Sequence, residues 1–219
     1  MSQEYDAAAA NGLAIALRAP VPSDRLQAAL AAGTTPRTAY IEVLVDRCAV
    51  EPDFFVRDML TWALVRHDPE VTVPRLMEEL GSVFPQARSQ ALHTLSKTGD
   101  PRTWSAITLA LLEDEEDQVA RAAWRTAAGV VPEREASALA ELLTKQLGRG
   151  DREVQLSLTR AFTTIGEPSL EPVEQTAASE AFERAARAHA RATSRILHDP
   201  ELDFDEAMQE AQHALRQGD

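Results

Sequence analysis

The chain holds a single cysteine, Cys48, in 219 residues. No internal disulfide can form, and a reducing, cytoplasmic setting is expected. Aromatic residues make up only 5% of the sequence. Alanine is abundant instead, and small apolar side chains suit close helix–helix contact better than a β-sandwich. Lysine is almost absent: Lys97 and Lys145 stand among 22 basic residues, and the rest are arginine. That bias, with the alanine content, points to a bacterial source. No apolar run approaches the roughly 20 residues that span a bilayer, so no membrane association is expected. Residues 1–10 carry Glu4 and Asp6 and no basic cluster, which argues against a secretory signal.

Chemistry is missing as well. The five histidines, His67, His93, His189, His198 and His213, include no pair at helical ligand spacing, and Cys48 has no partner ligand. No metal site is expected. No phosphate loop, dinucleotide-binding glycine motif or nucleophile elbow occurs, so no catalytic residue and no cofactor is assigned.

What is present is a soluble, folded composition, 44% hydrophobic and 26% charged, with a formal charge of −13. It is organised as a repeat. Segments beginning at Val56-Arg57, Ala87-Arg88, Val119-Ala120 and Val154-Gln155 align. Four residues on, the column reads Leu60, Ala91, Ala123, Leu158. Twenty on, it reads Leu76, Ile107, Leu139, Glu174. A turn recurs between the two halves as His67-Asp68-Pro69, Gly99-Asp100-Pro101, Val131-Pro132-Glu133 and Gly166-Glu167-Pro168. Each unit reads as two helices joined by a turn, with apolar positions at helical spacing on both sides. Gly148-Arg149-Gly150 accounts for the longer third interval. Leu60, Leu76, Ile107, Leu139 and Leu158 are the expected core. Cys48 shares the face of Ile41, Leu44 and Val45, so it should pack.

Asp-x-x-Val-Arg, carried by Asp53 to Arg57, followed by the Gly99-Asp100-Pro101 turn, resembles HEAT repeats, of the short bacterial kind also seen in phycobilisome-lyase-like proteins. The resemblance covers about residues 36–179. It implies an all-α fold, a right-handed α–α superhelix of about five helix pairs with capping helices. Residues 1–219 then form one domain: an N-terminal cap over 1–35, repeats over 36–179 and C-terminal cap helices over 180–219. Asp24 to Ala32 and Pro36 to Ala49 read as helices. So do Glu180 to Leu197 and Phe204 to Gln217, with breaks expected at Asn11-Gly12 and Pro20 to Pro22.

In the resembled family the helix carrying Val-Arg lines the concave surface. Positions two, six and ten residues after the Val column then face outward. They include Trp62, Arg66, His93, Lys97, Arg121, Arg125 and Arg160. The later helix adds Arg187 and Arg191, on one stripe with Arg184 and Arg195. These residues read as a basic row on an acidic protein. A charge row is ordinarily a solvated face, and Arg57 and Arg88 are candidates for pairing with turn aspartates. The functional reading is a partner-binding surface: a non-catalytic scaffold for an acidic segment of another protein. One alternative is nucleic-acid binding in the manner of AlkD-like HEAT glycosylases, which the net charge opposes. Another is a chromophore-lyase-like role implied by the resemblance. Nothing in the sequence specifies an oligomeric state.

Overall fold

The computed structural model describes residues 2–217, and every regular element among them is helical. In order these are α1 (Ser2–Ala16), α2 (Pro22–Thr34), α3 (Thr38–Cys48), α4 (Phe54–Val65), α5 (Pro69–Glu79) and α6 (Pro85–Thr98). A 3-10 turn over Pro101–Ala106 leads to α7 (Leu109–Leu112). Then come α8 (Asp117–Val130), α9 (Ala136–Thr144), α10 (Arg152–Ile165), α11 (Leu170–Ala178), α12 (Arg184–His198) and α13 (Phe204–Gln217). The helices pack as consecutive pairs, the arrangement of an α–α solenoid. The chain divides into two compact units, one ending at Ala106 and the other beginning at Ile107.

In the first unit α2, α4 and α6 lie side by side, with α3 and α5 packed behind them. In the second, α8, α10 and α12 form the corresponding row, backed by α9, α11 and α13. The repeat columns explain this. Val56, Ala87, Val119 and Val154 are buried, as are Leu60, Ala91, Ala123 and Leu158. Cys48 is buried with Ile41, Leu44 and Val45. Neighbouring helices also share hydroxyl contacts, Thr61 with Thr94 at 3.3 Å and Thr159 with Thr193 at 2.9 Å.

The loops before the row helices are tied down by side chains reaching back to main-chain carbonyls. Arg25 Nη1 donates to Ala19 and Pro20, and Arg57 Nη1 to Glu51 and Pro52. Arg88 Nη1 donates to Ser82. In each case an acceptor lies six residues earlier. Arg57 therefore serves the loop carbonyls, where the sequence suggested a turn aspartate, and Arg88 also reaches a loop carbonyl. Arg25 marks the same device one repeat upstream of the four aligned segments.

Three expectations need correction. Asn11-Gly12 does not break α1, because Leu13 and Leu17 are buried, and packing against α3 and α2 outweighs the low helix propensity of glycine. The second repeat lacks a continuous second helix: the 3-10 turn ends at Ala106, and the chain restarts at α7, where the Thr108 hydroxyl accepts from the Leu111 amide. Ile107 falls in this interruption and is only half-buried. The late Ala/Arg helix begins at Arg184 and not at Glu180.

Candidate functional site

The row residues distribute between the two units. In the first, Trp62 lies on α4 with 37% of its surface exposed. Its ring rests against α2 at Gly33, where an added Cβ would come within 2.3 Å of it. Arg66, one turn further on, lies over the indole at 4.8 Å from the ring centre and donates from Nε to the Gly33 carbonyl at 2.9 Å. Trp62 and Arg66 are therefore brought together, but the guanidinium is committed to an internal bond. On α6, His93 is half-buried and Lys97 exposed.

In the second unit the arginines gather. Arg121 and Arg125 are one turn apart on α8, and Arg160 occupies the register of Arg125 on the adjacent α10. Arg121 is half-buried, and Arg125 and Arg160 are exposed. The surrounding protein and then the charge of Arg121 disfavour the charged form of Arg125, and its pKa is held below the usual arginine value. Other arginines are neutralised locally. Arg75 pairs with Glu42 and Glu79, Arg102 with Asp100 and Glu70, and Arg152 with Asp205. Arg121 and Arg160 make no ion pair with any described residue.

Three of the α12 arginines have different surroundings. Arg187 is half-buried, and its Nε is enclosed with no hydrogen-bond partner among the described residues. Arg191 donates to the Ala177 carbonyl at the end of α11, and Arg195 pairs with Glu210 on α13. Trp124 and His67 serve the fold. Trp124 is fully buried and donates from Nε1 to the Leu112 carbonyl at 2.8 Å. His67 Nδ1 meets the Ala63 carbonyl at 2.8 Å, a contact at the end of its own helix.

The sequence did not reveal a groove of about 510 Å³ between α12 and α13, lined by Ala188, Met208, Leu215, Arg184 and Arg216. No group of three or more His, Cys, Asp or Glu residues suited to a metal occurs among the described residues. No described helix is long and apolar enough to cross a membrane.

No family model and no curated protein matches this chain. Solved structures do. An engineered protein is similar at 15% identity, over 86% of this chain and 98% of its own, with a TM-score of 0.45. The complex of CpcE and CpcF of phycocyanin lyase from Nostoc sp. PCC7120 is similar at 16% identity, over 93% of each chain, with a TM-score of 0.41. Likenesses this distant carry no argument about activity or partners.

Proposed function

We propose that this chain is a HEAT-like, non-catalytic scaffold that binds an acidic segment of another protein through Arg121, Arg125 and Arg160. The observation that carries the reading is the placement of three arginines on adjacent helices of a chain with a formal charge of −13. Two of them are one helical turn apart, where like charges repel. Elsewhere in the fold arginines meet carboxylates within hydrogen-bonding distance. Arg121 and Arg160 meet no carboxylate among the described residues, and a patch that carries their charge attracts an anionic partner and sets its orientation.

The test is binding of a fluorescent polyglutamate peptide, followed by anisotropy at rising salt, with duplex DNA as a parallel probe. Captured host partners are then compared between the native chain and the Arg121→Glu/Arg125→Glu/Arg160→Glu variant. Saturable peptide binding that weakens with salt, together with loss of the main partner in the variant, supports the proposal. A partner retained by the variant, or tighter binding to DNA than to peptide, refutes it.

A further inference from the structure

The seam between α12 and α13 is closed at one end and open at the other. At the closed end Ile196 and Phe204 pack in one cluster with Ala192, Ala207 and Ala211. Toward the start of α12 the facing positions shrink to Ala185 and Ala188, and Leu215, from the last turn of α13, does not fill the space. The groove of about 510 Å³ is the result, with the half-buried Met208 along it. It runs on into a second groove of about 370 Å³ between the start of α10 and α13. The two share Gln155, Met208 and Gln212.

The charge at the open end has one sign. The charged side chains lining it are Arg184, which opens α12, and Arg216, in the last turn of α13, and both are exposed. No carboxylate among the described residues lines this groove. Glu183 lies next to Arg184 in the chain and stays outside the lining. In the second groove the lining carboxylate, Asp205, is bound by Arg152, which also holds Glu153. The first turn of a helix favours anions, yet α12 begins on an arginine and has no acidic residue in that turn. Two guanidinium groups beside an apolar channel, on a chain with a formal charge of −13, complement a molecule with one anionic head and an apolar body.

The size of the groove selects the occupant. Small-molecule sites are mostly apolar clefts of about 300–1,000 Å³ with a few placed polar groups. A helical peptide docks by anchors spread over two turns or more, on a longer track than this one. At about 30 Å³ for a group the size of a water molecule, the groove accommodates an alkyl chain of roughly a dozen carbons with its head. Methionine adapts its flexible thioether to such a chain, and the arginine fork matches a planar carboxylate. We propose that this groove binds a free fatty acid, with the carboxylate held by Arg184 and Arg216 and the tail lying over Ala185, Ala188, Met208 and Leu215. The site uses none of the residues of the basic row.

The experiment titrates the full chain with dodecanoate below its micelle concentration, by calorimetry and by NMR of the methionine methyl groups. One molecule should bind per chain, and the Met208 methyl should shift while those of Met59 and Met77, in the first unit, stay. Dodecanol has the same tail without the charge, and acetate has the head without the tail. Each should bind at least about tenfold more weakly. Arg184→Gln/Arg216→Gln alters only exposed side chains. It should keep the helical signal, weaken dodecanoate by about tenfold or more and leave dodecanol unchanged. The Arg121→Glu/Arg125→Glu/Arg160→Glu variant should bind dodecanoate as the native chain does, which separates this site from the basic row. No saturable binding of monomeric dodecanoate, an unmoved Met208 methyl, or equal binding by the double-arginine variant would overturn the proposal. So would loss of binding in the triple variant, or displacement of dodecanoate by the polyglutamate peptide, which would make the groove a peptide site.

Discussion

Arg149 donates from Nη2 to the carbonyl of Asp114, 35 residues earlier in the chain, at 2.5 Å. It also reaches the Glu115 carbonyl and pairs with Asp117 at 2.9 Å. Those carbonyls lie six and five residues before Ala120, the position where the third repeat lacks the arginine found at Arg57. Arg57 serves the matching carbonyls, Glu51 and Pro52, from within its own repeat. The enlarged Gly148-Arg149-Gly150 loop thus supplies from the next repeat the clamp that the third one lost.

Arg149→Ala should therefore destabilise the protein by about 1–3 kcal/mol, the cost of leaving partly buried acceptors unserved. Arg149→Lys should recover little, because one ammonium cannot copy the planar fork. Urea midpoints of the two variants at unchanged slope are the measurement. A native-like midpoint for Arg149→Ala would show that the clamp is dispensable.

Glu51 is the buried centre of the first unit's network. Arg25 contacts both of its oxygens, Arg47 contacts Oε2, and the Asp53 amide donates to Oε1. Burial raises its pKa, but Arg25, the Asp53 amide and Arg47 outweigh that and hold it at about 2. Glu51→Ala leaves a buried arginine without its carboxylate and should cost about 3–5 kcal/mol. Because the folded value lies below the ordinary 4.5, the stabilisation is complete above pH 4.5 and is lost as pH falls through 2.

His189 acts in a different window. It accepts the Gly148 amide at Nδ1 and meets Thr159 Oγ1 through Nε2 at 2.9 Å. The amide requires a bare Nδ1, so the ring is neutral with its proton on Nε2. Burial pushes its pKa down to about 4 from 6.5. Between those values the unfolded chain takes up a proton that the folded chain refuses. Stability therefore falls as pH drops from 6.5 to 4, by about 3 kcal/mol. Unfolding free energies measured between pH 6.5 and 4.5, above the Glu51 range, should show this slope in the native chain and a flatter profile in His189→Gln.

Gly33→Ala should destabilise the first unit although alanine is the better helix former. The new Cβ would meet the Trp62 ring at 2.3 Å and the Ala63 Cα at 2.8 Å. The backbone contact cannot be relieved by a rotamer change, and overpacking of this kind costs about 1–3 kcal/mol. Trp62 emission should shift to the red as the ring is displaced toward solvent. An unchanged spectrum and midpoint would show that α2 and α4 separate freely there.

The helix pairs were legible because their signal is local. Burial of Val56, Leu60, Val119, Val154 and Leu158 follows from periodicity over a few turns, and the burial of Cys48 follows from its place beside Ile41 and Leu44. The outward positions of Trp62, Arg125 and Arg160 follow from the same spacing. What sequence reasoning could not see depends on which distant segments pack together. Arg191 and Arg195 share a stripe in sequence yet meet different neighbours, α11 and α13. Arg66 looks like a free cation until Gly33, 33 residues away, takes its Nε hydrogen bond. The sequence by itself determined the helices and their buried faces, because those depend on residues three and four apart. The tertiary structure alone decided which charges are spent and which surfaces remain, because that depends on partners tens of residues away.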